Sequence, residues 1–156
     1  MRERGFEIVR AYEGRGIRIP KRRTAGSAGY DIEAAEDVVI APGELALVPT
    51  GLKAYMKMDE VLQLHIRSSI ALKNKLSLAN SVGIIDADYF NNEENEGHIM
   101  VAFMNHGTET VRFEKGMRIA QGIFVKYLTA DGDLAGRGRE RQGGFGSTGE
   151  GGYENG

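Results

Sequence analysis

The sequence predicts an all-β domain. Three observations carry that expectation: short runs in which apolar and polar residues alternate, turn residues between those runs, and almost no helical period. Alternation is plain in Glu44-Leu45-Ala46-Leu47-Val48, and in Leu62, Leu64 and Ile66 with Gln63 and His65 between them. A period of two marks a half-buried strand. The pattern recurs in His98 to Asn105, Thr110 to Phe113 and Met117 to Tyr127, punctuated by Ala41-Pro42-Gly43, Asn105-His106-Gly107 and Glu114-Lys115-Gly116, which are turn signals. Only Ser69 to Asn74 reads as helix, barely more than a turn. Regular short strands lead to a sandwich, a barrel or a jelly roll.

At 156 residues the chain fits one domain with one core, since a chain of this size buries about two thirds of its surface. Lys plus Arg number 20 against 22 Asp plus Glu, a balance that implies no general affinity for nucleic acid, so any phosphate site must be local. There is no run of about 18 apolar residues, and Met1-Arg2-Glu3-Arg4-Gly5 lacks the apolar stretch of a secretory signal, so no membrane association and a cytoplasmic location are expected. With no cysteine and three scattered His residues, disulfides, thiolate zinc and a cysteine nucleophile are excluded and a His-based metal site is disfavoured. A metal acting here would take oxygen ligands. That favours magnesium, which keeps several waters and borrows ligands from substrate phosphates.

Composition divides the chain into a β domain over residues 1–128 and a glycine-rich arm over 129–156. From Thr129 onward there are ten glycines in 28 residues, with only Leu134, Phe145 and Tyr153 as large apolar groups, too few to offset the entropy of ordering. The stretch Asn91 to Gly97 is polar and acidic and reads as a solvated loop between strands.

Five stretches have the makings of a site. Arg67-Ser68-Ser69 follows a strand and enters the helical turn, so hydroxyls, guanidinium and free N–H groups converge as a phosphate seat, unless Ser serves only as a helix cap. In Ser81 to Tyr89 an apolar strand runs into Asp86, Asp88 and Tyr89. Alternation would put both carboxylates on one face, one to activate water and the other to orient it or hold a solvated cation, unless they merely close a hairpin. Asp31 in Ala28-Gly29-Tyr30-Asp31-Ile32 is placed to reach a metal-bound water, or is simple turn chemistry. Gln121 is expected to point with Ile119 and Ile123 toward the core, where an amide needs a polar partner. Gly143-Gly144-Phe145-Gly146-Ser147-Thr148-Gly149 combines glycines that let N–H groups approach phosphate, two hydroxyl donors and a ring for stacking on a base, with Arg137, Arg139 and Arg141 just upstream. Its plain alternative is a flexible linker.

Taken in order, these stretches resemble the five motifs of the trimeric dUTPase family over Ala28 to Gly149. The resemblance implies a jelly-roll subunit, a homotrimer with sites at the subunit interfaces, and an arm that crosses to a neighbour. It also implies magnesium-dependent hydrolysis of dUTP to dUMP and pyrophosphate, which keeps uracil out of DNA and supplies dUMP for thymidylate. By motif match, Asp86 is the general base and Asp31 holds the waters of the magnesium. Arg67, Ser68, Ser69 and Gln121 match phosphate-binding positions, and Asn80, Gly83 and Ile85 match the uracil reader. Tyr89 matches the wall against the deoxyribose that leaves no room for a 2′-hydroxyl. Phe145 would stack on uracil, with Gly146, Ser147 and Thr148 at the γ-phosphate. The position five residues before Phe145 is Glu140 instead of the usual arginine, so Arg141 takes that role, with Arg139 as the alternative. The third motif commonly ends in a short basic and glycine turn, which Phe90 to Gly97 replaces here. A dCTP deaminase of the same fold and a nucleotide-binding regulatory protein are the other readings. Asp86, Tyr89 and the GGFGSTG segment speak against both.

Overall fold

The computed structural model describes residues 1–135. Every strand pair in it is antiparallel. One four-stranded sheet contains, in spatial order, β2 (Tyr30–Glu33), β11 (Arg118–Lys126), β6 (Glu60–Ile66) and β8 (Gly83–Asp86). A three-stranded sheet is built from β4 (Leu45–Pro49), β9 (Met100–Asn105) and β7 (Leu76–Leu78). Two further pairs, β1 (Gly5–Ile8) with β5 (Leu52–Tyr55) and β3 (Val38–Ile40) with β10 (Val111–Phe113), flank them. The helix α1 (Ser68–Asn74) connects β6 to β7. The result is an all-β, jelly-roll-like subunit.

Inner faces of the two larger sheets share one core. Ile32, Leu62, Leu64, Ile85 and Ala120 come from the first sheet; Val48, Leu76, Leu78, Val101 and Phe103 come from the second. Phe103 meets Phe113 edge-on, with centroids 5.0 Å apart. Burying each large side chain is worth about 1.5–3 kcal/mol, which makes this layer the main stabilising element.

The strands expected from alternation appear as β4, β6, β9, β10 and β11. Those that gave no signal are short or doubly buried: β1, β3 and β7 have three or four residues, and in β5 Leu52, Lys53 and Ala54 are all buried. Without an exposed face there is no alternation to read.

Three expectations are corrected. Gln121 does not point with Ile119 into the core. Arg118 pairs with Glu33 and Ala120 with Ile32, so Ile119 is an extra residue, a β-bulge that resets the alternation. Ile119 and Ala120 are both fully buried, and Gln121 emerges on the outer face opposite Asp31. Secondly, Asp86 and Asp88 do not continue one strand: β8 stops at Asp86 and a 3-10 turn takes over at Ala87–Tyr89, where side chains no longer alternate. Thirdly, the acidic segment is not a loosely solvated loop. Glu93 and Glu94 are exposed, but Asn92 is buried at 7% exposure and hydrogen-bonded to its neighbours.

His98 ties this segment to the N-terminal part of the chain. Its Nε2 accepts a hydrogen bond from the Gly51 N–H at 2.9 Å, and its ring lies 5.1 Å from that of Tyr12. Burial lowers its pKa below the ordinary 6.5, while Glu36 and Glu96 pull weakly the other way. A depressed folded-state pKa means stability that is present above pH 6.5 and lost as pH falls through the lowered value. His98→Gln, which keeps an acceptor at all pH values, should therefore lose less thermal stability than the parent chain between pH 7 and pH 5. Parallel acid losses in differential scanning calorimetry would contradict this.

Candidate active site

The bulge in β11 places three polar residues side by side. Gln121 pairs with Asp31 on β2 and with His65 on β6, so all three lie on the outer face of the four-stranded sheet. Beyond β6 the chain enters α1, whose N-cap is Arg67 in extended conformation with no side-chain capping bond. The serines are therefore not caps. They lie in the first turn, where helix N–H groups lack intrahelical acceptors. Asp31, Arg67, Ser68, Ser69 and Gln121 together line a cleft of about 290 Å³ with Arg23, Ser27 and Gly29. Five of the sequence-predicted residues thus converge.

Charges in this cleft are paired without being neutralised. The Asp31 carboxylate lies 3.8 Å from Arg67 Nε and 3.5 Å from Arg118 Nη1, and Arg67 Nη1 donates to the Arg118 carbonyl at 3.3 Å. The bulge thereby supplies an acceptor that orients the Arg67 guanidinium, leaving its remaining donors for an anion.

Sequence reasoning missed Arg23 and Ser27. Arg22 Nη1 donates to the carbonyls of Ala25 and Ser27, the Thr24 and Ser27 hydroxyls are 2.6 Å apart, and the Asp31 N–H donates to the Lys21 carbonyl. These bonds hold the β1–β2 connection against the sheet and bring Arg23 to the cleft, where it makes no ion pair among the described residues. The signal was present as Lys21-Arg22-Arg23 beside Ser27-Ala28-Gly29, but a basic run in a loop looks the same whether it faces solvent or a site.

The other predicted residues lie elsewhere on the subunit. Asp86, exposed at the end of β8, pairs with Val61 at the start of β6, whereas Arg67 follows the end of β6. At about 3.3 Å per residue, the two are about 20 Å apart along the strand. Gly83 and Ile85 are buried on β8, and a Cβ on Gly83 would come within 2.9 Å of the Leu64 Cβ. Among the described residues β8 is the sheet's edge strand, so alternate backbone groups face away from β6. Asn80 is exposed in the turn before it, where Val82 N–H donates to the Asn80 carbonyl. Tyr89 is 4% exposed, with its hydroxyl donating to the His98 carbonyl at 2.7 Å. Arg141, Phe145, Gly146, Ser147 and Thr148, with the alternative Arg139, lie outside the described residues.

No group of three or more His, Asp or Glu side chains among the described residues forms a metal cage. The cleft offers one carboxylate, Asp31, beside cationic and hydroxyl donors. Such a set fits a hard cation that arrives with waters and phosphate oxygens, with Asp31 holding a water, and does not fit one bound by protein alone.

Gly29 is what admits Gln121. A Cβ at position 29 would overlap Gln121 Oε1 and lie 3.0 Å from the Gln121 Cβ and Cδ. Gly29→Ala should expel the amide from the cleft and destabilise by about 1–3 kcal/mol, as overpacking does. A crystal structure with Gln121 unmoved, together with an unchanged urea midpoint, would contradict this.

Comparison with known proteins agrees with the geometry. A protein-family model described as dUTPase matches residues 15–149. The deoxyuridine 5'-triphosphate nucleotidohydrolase of Lactococcus lactis is 57% identical over 96% of this chain and 99% of its own, and that of an Anaeromyxobacter species is 40% identical over 87% and 90% respectively. The crystal structure of dUTPase from Streptococcus mutans superimposes with a TM-score of 0.78 at 49% identity, covering 82% of this chain and 99% of that one. The family model and these relatives show that the chain belongs to the dUTPase family.

Proposed function

We propose that the protein is a dUTP diphosphatase, hydrolysing dUTP to dUMP and pyrophosphate. Support comes from family membership together with one geometric observation: the cleft that gathers Asp31, Arg67, Ser68, Ser69 and Gln121. Arg67, the two serines and Gln121 bind the phosphate chain there, and Arg23 adds a cation. Asp31 would hold the waters of a magnesium ion, which when bound would supply charge neutralisation to the phosphate chain. Asp86 accepts a proton from water as the water oxygen attacks the α-phosphorus, and the bond to the departing pyrophosphate breaks in line. Asn80 and the open edge of β8 at Gly83 and Ile85 read the acceptor–donor–acceptor edge of uracil. Cytosine would leave a buried group unpaired. Tyr89 stands against the deoxyribose.

One subunit does not hold both halves of this site close together. Ile84, at 52% exposure, and the partly exposed Ile123 flank Gln63 on the outer face of the four-stranded sheet between the phosphate cleft and Asp86, a partly apolar row suited to being covered. In a homotrimer, packing this face against a neighbour brings one chain's Asp86 to another's cleft. Residues 1–128 form the domain and 129–156 the arm. From Tyr127 to Phe145 the arm reaches up to about 60 Å if extended, enough to set Phe145 on a neighbour's uracil with Arg141, Gly146, Ser147 and Thr148 at the phosphates. No helix among the described residues is long and apolar enough to cross a membrane.

Two experiments test this. Given dUTP, dCTP, dTTP and UTP, the enzyme should release pyrophosphate from dUTP alone at an appreciable rate, and Asp86→Ala should lower kcat about 10²–10⁴-fold, as loss of a general base does. Ammonia from dCTP, or full turnover by the variant, would refute the assignment. For the shared site, Asp86→Ala and Arg67→Ala chains should each be inactive yet regain part of the activity when unfolded and refolded together, whereas a site confined to one chain predicts no recovery.

A further inference from the structure

Tyr89 is 4% exposed, and its ring is held by hydrogen bonds as well as by core packing. Its hydroxyl donates to the His98 carbonyl at 2.7 Å and accepts from Asn95 Nδ2 at 2.8 Å. Its carbonyl accepts from Asn92 Nδ2 at 2.8 Å. The two asparagines are tied to each other, Asn92 Nδ2 donating to Asn95 Oδ1 at 2.8 Å, while Asn92 Oδ1 receives the N–H groups of Glu94 and Asn95 and Asn95 Oδ1 receives that of Gly97. Gly97 has φ +87, and a Cβ there would lie 2.8 Å from the Tyr89 carbonyl oxygen. At the outer end of the segment, the buried Lys53 donates to Asn91 Oδ1 at 2.6 Å and lies 5.1 Å from the Phe90 ring centroid. Glu96 accepts from the Arg10 N–H at 2.9 Å.

These bonds grip both ends of one residue. A ring that excludes an atom by lack of space must be fixed to within about 0.5 Å, because a soft wall yields. Core packing holds the body of the Tyr89 ring, and its hydroxyl end is the part with most freedom to tilt about χ1 and χ2. Asn95 and the His98 carbonyl remove that freedom, and Asn92 holds Asn95 in place.

We propose that Asn95, oriented by Asn92, is a positioning residue that fixes the Tyr89 ring and thereby sets the selection of deoxyribose over ribose. The inference rests on the reading of Tyr89 as the sugar wall. Asn95 touches no substrate and acts only through Tyr89. The loop that replaces the usual short turn is thus a specificity brace.

The test is the ratio of kcat/KM for dUTP to that for UTP in Asn95→Ala, Tyr89→Phe and Tyr89→Ala, with folding checked by circular dichroism and size-exclusion chromatography. Tyr89→Phe keeps the ring and removes both hydroxyl bonds, so it serves if Asn95→Ala fails to fold. Asn95→Ala and Tyr89→Phe should lower the ratio about tenfold, chiefly through faster turnover of UTP, and in Asn95→Ala kcat for dUTP should stay within about threefold, since excluding one hydroxyl by shape is worth about 10–200-fold. A loss of thermal stability with the ratio unchanged is what a purely structural loop would give. That result in Asn95→Ala and Tyr89→Phe, beside a collapsed ratio in Tyr89→Ala, overturns the brace alone. An unchanged ratio in Tyr89→Ala overturns the sugar-wall reading and the brace with it.

Discussion

The arrangement of the cleft around Asp31, Arg67 and Gln121 depends on a single extra residue in β11. Were β11 to run past β2 in unbroken register from the Arg118–Glu33 pair, Gln121 would share the inner face with Ile119 and oppose Tyr30. Inserting Ile119 as a bulge turns Gln121 outward to meet Asp31 and His65, and it presents the Arg118 carbonyl to Arg67. Because a strand has period two, a one-residue shift moves every later side chain to the other face. The bulge is affordable because Ile119 is fully buried, so the residue that breaks the ladder is itself held by the core. Gly29 completes the arrangement by leaving space that any side chain would take from Gln121.

A second consequence of strand geometry is that the candidate site residues of one chain fall into two separate groups. β6 carries the anion seat beyond its C-terminal end and, through its pairing with β8, Asp86 beside its N-terminal end. Rigid strands keep these groups apart as firmly as they keep each group in place. The proposed homotrimer would unite them across the sheet's partly apolar outer face.

The segment after Tyr89 illustrates how polar residues build order without a hydrophobic core. Asn92 and Asn95 use nearly all of their hydrogen-bonding capacity on backbone, on each other and on the Tyr89 hydroxyl, so the chain can leave the 3-10 turn, reverse at Gly97 and enter β9 with no buried side-chain polar atom unsatisfied among the described residues. Composition hid this, because an asparagine in a mobile loop and one in a closed network look alike in a sequence.

By itself the sequence determined the fold class, the strands with one wet face, and which residue types were available for phosphate and base. Those features are local: alternation, turn residues and the order of motifs are all written along the chain. Only the tertiary structure decided which face Gln121 takes, that Asp86 and Asp88 part at a 3-10 turn, that Arg23 joins the cleft, and that Asn92 turns inward. Each of these depends on a register, a bulge or a hydrogen-bond partner distant in sequence, such as Ile32 opposite Ala120, and the free energy that selects among them is that of the packed core and closed polar networks, which no short stretch of residues contains.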